Sequence, residues 1–157
     1  MRGTVALALA FFLCACGEKS TQTLGGGHRS DYEAVSASRE LRKDERAVLL
    51  VIPKVGRFAV ACRGQGMSEV EFVADRLLPT AAVTVASSET GTSRRTVDPG
   101  GTLGTRGPTA RPRIETWQIA PFSKGARSVT TITISVGRSA GGPFYACGFS
   151  AQGLAPA

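Results

Sequence analysis

The side chains with thiol or imidazole chemistry are few: Cys14, Cys16, Cys62, Cys147 and a single histidine, His28. Nucleophilic catalysis needs a base within hydrogen-bond reach of the nucleophile. His28, the only imidazole, sits in Leu24-Gly25-Gly26-Gly27-His28, a stretch that reads as a solvated tether. No Cys-x-x-Cys occurs, so neither the cysteines nor His28 have the spacing of a metal clip, and no metal or cofactor is expected. Glycoside hydrolysis would need two converging carboxylates. Glu69 and Glu71 do share a strand face, but they alternate with Val70 and Phe72, the pattern of the wet side of a sheet. Gly64-Gln65-Gly66 and Gly141-Gly142 read as turns and not as phosphate loops. The expectation is a protein that is not an enzyme.

The first residues carry a different chemistry. MRGTVALALAFFLCACGEKS has one early cation, Arg2, then an apolar run from Val5 to Leu13, then small residues. That is the order of an export signal, and the run is shorter than the roughly 20 residues that span a bilayer core. Leu13-Cys14-Ala15-Cys16 resembles the lipobox of bacterial lipoproteins, with Cys14 where Ser, Ala or Thr is commoner. The resemblance implies cleavage between Ala15 and Cys16 and diacylglyceryl attachment to Cys16. Two or three acyl chains, at about 0.8 kcal/mol per buried methylene, make a lasting anchor. The alternative is an ordinary cleaved signal and a secreted chain. A Cys14–Cys16 bridge has poor geometry, because both side chains leave an extended backbone on one face.

An exported chain meets an oxidising compartment, so the remaining pair, Cys62 and Cys147, is expected to form a disulfide, with two inert buried thiols as the alternative. Phe58, Val60 and Cys62 share one strand face, and Tyr145, Cys147 and Phe149 share another, so both thiols point with bulky apolar neighbours. A bridge across so long a loop is worth about 4–5 kcal/mol in the chain-entropy account.

These cysteines must be positioned by one domain, since the chain beyond the signal is too short for two comfortable cores. Residues 1–15 read as the signal peptide. Residues 16–46 read as the lipidated cysteine, a Gly-rich tether and a candidate short helix over 31–46, where Ser30 and Glu33 match a capping box. Residues 47–157 read as β: AVLLVIP, RFAVACR, SEVEFVAD, AAVTVASS, IETWQIAPF, VTTITISVG and FYACGFSAQ are short, rich in Val, Ile, Thr and aromatics, and punctuated by Gly and Pro. Seven or eight such strands predict an all-β, antiparallel sandwich, immunoglobulin-like or jelly-roll-like. Tyr145-Ala146-Cys147 resembles the Tyr-x-Cys of immunoglobulin strand F. The only tryptophan, Trp117, however, lies far beyond Cys62 instead of shortly after it. The β portion is also similar to small exported bacterial domains with a Gly-x-Phe-x-Val-x-Cys strand, here Gly56 to Cys62, a resemblance that implies a fold and no function. Trp117 reads as core, with an exposed sugar platform as the alternative, and apolar residues on both faces of its segment suggest a strand buried on both sides.

The formal net charge is +7, and the excess is uneven. Arg94, Arg95, Arg106, Arg111 and Arg113 lie in or beside the Pro/Gly-rich stretch DPGGTLGTRGPTARPR, which reads as one long loop. Arginine forks suit phosphate and carboxylate, so this loop is the candidate anion-binding element, against a plainer reading in which the arginines keep a β-surface soluble. The basic-aromatic interleaving of a nucleic-acid reader is missing, and no nucleic acid partner is expected. The sequence therefore points to an exported, lipid-anchored structural or binding module of the cell envelope. Its expected partners are the membrane and an anionic envelope polymer or another envelope protein.

Overall fold

The computed structural model describes residues 31–123, 128–139 and 146–157. Ten strands run in order: β1 (Tyr32–Leu41), β2 (Arg46–Ile52), β3 (Gly56–Arg63), β4 (Met67–Ala74), β5 (Ala81–Ser87), β6 (Gly91–Val97), β7 (Thr102–Pro108), β8 (Arg113–Pro121), β9 (Thr130–Arg138) and β10 (Cys147–Pro156). They form a six-stranded sheet, β1-β10-β9-β8-β5-β6, and a four-stranded sheet, β2-β3-β4-β7, every neighbour antiparallel. The two sheets pack face to face as a β-sandwich. Among the described residues no helix is long and apolar enough to cross a membrane.

Alternation explains the layers. On β9, Thr130, Ile132, Ile134 and Val136 point inward while Thr131, Thr133 and Ser135 point out. On β4, Ser68, Val70, Phe72 and Ala74 are inside, and Glu69 and Glu71 lie on the outer face, as the alternation predicts. Phe58 sits between Phe72 and Trp117, with ring centroids 5.2 and 5.5 Å away, the second pair edge-on. Trp117 is thus core. Its strand is buried on one face only, because Ile114 and Gln118 on the other side are exposed.

Two expectations are corrected. Residues 32–41 form β1, paired through all ten positions with β10, where a tether and short helix were expected, so the sandwich begins at Tyr32 and not at residue 47. Ala, Glu, Arg and Leu are good helix formers, but propensity is a small term that tertiary pairing overrides. Val35, Ala37 and Leu41 fall on one strand face toward the core, and the open edge of β10 supplies a complete hydrogen-bond partner. Second, DPGGTLGTRGPTARPR is not one loop: after a turn at Asp98–Gly101 its middle is β7, registered against β4 from Thr102 to Pro108. Glycine-rich as it is, β7 brings the sandwich to ten strands.

Candidate functional site

The two ends of the sandwich carry different chemistry. At one end, Cys62 is the last residue but one of β3 and Cys147 opens β10, and their sulfurs are bonded at 2.05 Å with Cα atoms 5.6 Å apart. The bridge ties the four-stranded sheet to the six-stranded one. Backbone bonds brace the same end: Cys62 N–H donates to Glu45 O at 2.9 Å, Ala146 N–H to Leu41 O at 2.9 Å and Thr109 N–H to Gly66 O at 2.7 Å. Cys16 and Tyr145, the residues of the lipobox and strand-F resemblances, lie outside the described residues, as does His28.

The five arginines do not form one patch. Arg94 and Arg95 lie on β6, an edge strand exposed from Gly91 to Thr96, opposite Thr84 and Val83 and therefore on opposite faces. Neither has an acidic partner among the described residues. Arg106, on β7 of the other sheet, is bound to Glu69, its Nε donating to Oε1 at 3.1 Å. Arg63 holds the second oxygen of Glu69 at 2.9 Å, and Arg46 pairs with Glu71, so the outer face of the four-stranded sheet is a lattice of ion pairs. Partial burial pushes the Glu69 carboxyl up, but the hydrogen bonds and charges of Arg63 and Arg106 outweigh it and hold the group below its ordinary value. Arg111 is exposed in the β7–β8 turn.

Arg113 is the outright correction. It was expected on a projecting loop; it lies on β8 with its side chain 1 % exposed, facing the core. Arg113, Glu115, Trp117 and Ile119 occupy successive inward positions of one strand. The Arg113 Nε lies 2.7 Å from Glu115 Oε1, a charge contact and not an aligned hydrogen bond: none of the three guanidinium nitrogens has an aligned acceptor. Glu115 is better served. Trp117 Nε1 donates to it at 3.0 Å and Thr105 Oγ1 at 2.8 Å. Glu89 approaches Arg113 Nη1 at 3.8 Å. β7 can pass over the guanidinium only because position 107 is glycine; a Cβ there would overlap Arg113. A charged pair taken this far from water is costly in itself, and removing one member strands the other. The cluster is a brace between β7 and β8 and is closed to solvent.

The opposite end is open and apolar. Here β1 begins, β10 ends, and the backbone of Ala157 donates to Asp31 O at 3.0 Å. A groove of about 330 Å³ enters between the sheets over Val55, Leu78 and Ile119. Pro53, Pro79, Pro121 and Pro156, each just beyond or at the end of a strand or loop, wall it. Proline has no N–H and a fixed φ, so these walls offer no main-chain donor and cannot easily rearrange. Among the described residues, Lys54 and Glu33 are the charged ones lining it, and Ser123, Ser128 and Thr130 add hydroxyls. Leu77, on its rim, is 76 % exposed, and Phe122, between the lining residues Pro121 and Ser123 and with its N–H donating to Thr80 O, is 59 % exposed. A preformed apolar concavity of this size is the usual form of a ligand or partner site. The sequence reading missed it, because the four prolines are scattered from 53 to 156 and only the fold gathers them. Comparison with protein-family models, with curated proteins and with solved structures finds no match to this chain.

Proposed function

We propose that the protein is an exported lipoprotein of the cell envelope, anchored through Cys16, whose β-sandwich is a non-catalytic structural or binding module. The observation that carries the reading is the Cys62–Cys147 bridge between the sheets. Structural disulfides persist in oxidising compartments, in keeping with the export-type N-terminus, and this one leaves Cys16 as the thiol in lipobox position. The engagement of Glu69, Glu71 and Glu115 by arginines supports a non-catalytic domain, because each carboxylate already has a structural partner. The test is the intact, non-reduced mass of protein extracted from the envelope, with its cysteine peptides mapped. The expected result is an acylated Cys16 terminus and a linked Cys62–Cys147 peptide. An unmodified start beyond Cys16 would make the chain a secreted one, and free thiols at 62 and 147 would remove the reason for placing it outside the cytosol.

A second reading, binding of an anionic envelope polymer, is supported by Arg94, Arg95 and Arg111, which are exposed and have no acidic partner among the described residues. It is weaker than the sequence suggested, since Arg106 and Arg113 are committed to Glu69 and Glu115. Binding of this kind would weaken steeply with salt and would be lost when Arg94, Arg95 and Arg111 are replaced by serine.

A further inference from the structure

We propose that the groove end of the sandwich docks on the acyl layer of a phospholipid membrane, with Leu77 and Phe122 entering the layer and lipid chains occupying the groove. The inference deepens the anchoring reading above and rests on it for which membrane is met, but it stands on separate residues.

Three observations identify the occupant. First, the floor of Val55, Leu78 and Ile119 and the four proline walls are apolar, with hydroxyls at Ser123, Ser128 and Thr130, so most of the surface suits a hydrocarbon ligand. An extended peptide would find no main-chain donors along the proline walls for its own carbonyls. At about 30 Å³ per water-sized group, 330 Å³ holds roughly ten methylenes. Second, exposed apolar side chains gather beside the groove. Leu77 lines it, and Phe122 and Val129, the sequence neighbours of the lining residues Pro121, Ser123, Ser128 and Thr130, are exposed as well. Third, the groove lies where the preceding chain joins the fold. Asp31 is hydrogen-bonded to Ala157 at its rim. The fifteen steps from Cys16 to Asp31 reach at most about 50 Å when extended. A lipid on Cys16 therefore holds this end near the membrane, at an effective concentration in the millimolar range.

Charge sharpens the expectation. Among the described residues the groove is lined by one cation, Lys54, and one acid, Glu33, whose charges balance. Docking should be driven by apolar burial, and salt should leave it nearly unchanged. That separates it from binding through the arginines, which salt would abolish.

The test uses residues 17–157, which keep every residue of the described fold and lack Cys16, oxidised and floated with phosphatidylcholine vesicles. The expected result is salt-insensitive flotation, with Leu77→Ser and Phe122→Ser each lowering the partition coefficient about tenfold or more. Val48→Ser and Ile114→Ser, which remove exposed apolar side chains away from the groove, are expected to leave it unchanged. Absence of flotation, equal losses in all four variants, or a stable dimer that the Leu77 and Phe122 changes dissociate would each overturn the proposal. Because Cys16 is absent from this chain, an unacylated Cys16 in the native protein would defeat the anchor alone, and failure to float would defeat the docking alone.

Discussion

At the bridged end of the sandwich, β3 and β10 are joined by a disulfide, with Arg42, Lys43, Asp44, Glu45 and Arg111 in the turns around it. At the other end the sheets part over Val55, Leu78 and Ile119, and the turns are built from prolines and exposed Leu77 and Phe122. Both ends belong to the same two sheets and share one core. The difference lies in what closes them: covalent and ionic contacts at one, and at the other an open, largely apolar concavity. On the proposed docking, stability and binding belong to separate regions, so changes at one end should be legible in folding and changes at the other in binding.

The comparison breaks most visibly at the disulfide. Cys62→Ala with Cys147→Ala is expected to lower unfolding free energy by about 4–5 kcal/mol, read from denaturant midpoints, because a separation of 85 residues is released in the unfolded chain. A loss below about 1 kcal/mol would mean that the bridge is incidental to the fold. Next comes the buried pair. Glu115→Ala leaves the Arg113 guanidinium in the core and removes the acceptor of Trp117 Nε1, and a loss of about 3–5 kcal/mol is expected by the same measurement. Replacing Arg113 and Glu115 together with leucine and methionine should recover most of it, which a loss due to packing alone would not allow.

At the groove end the expectation inverts. Leu77→Ser and Phe122→Ser change side chains that face water, so stability should stay within about 0.5 kcal/mol of the parent while vesicle binding falls. The smallest effect belongs to Glu69. Its folded carboxyl titrates below the unfolded value, so its contribution to stability is present above the ordinary carboxylate range and is lost as pH falls through the lowered folded value. Glu69→Gln should therefore flatten the acid side of the stability profile slightly, and a steepening there would contradict the lattice of ion pairs.

The sequence made the sheets legible where alternation was strict. Val70 and Phe72 against Glu69 and Glu71 gave β4 its faces, and Phe58, Val60 and Cys62 gave β3 its inward side. β1 was hidden because its residues have helix propensity and its only reason to extend is the edge of β10, more than a hundred residues away. β7 was hidden by glycine, which here marks the passage of a strand over a buried arginine and not a turn. Arg113 was misplaced for the same reason. The spacing Arg113-x-Glu115-x-Trp117-x-Ile119 did hold the clue, since two opposite charges share the face of a buried tryptophan and isoleucine. No comparable signal existed for the groove, whose proline walls come from four segments far apart in the chain.

The most direct test of the division between the two ends is a depth measurement on the full chain, anchored in phospholipid vesicles. A nitroxide is attached at Leu77→Cys in one sample and at Arg111→Cys in another, with Cys62–Cys147 oxidised in both. The expected result is a label at 77 that collides with membrane-dissolved oxygen and is shielded from a water-soluble nickel complex, while the label at 111 behaves in the opposite way. Equal access of the nickel complex to both positions would contradict the account: the groove end would then face water like any other surface of the sandwich.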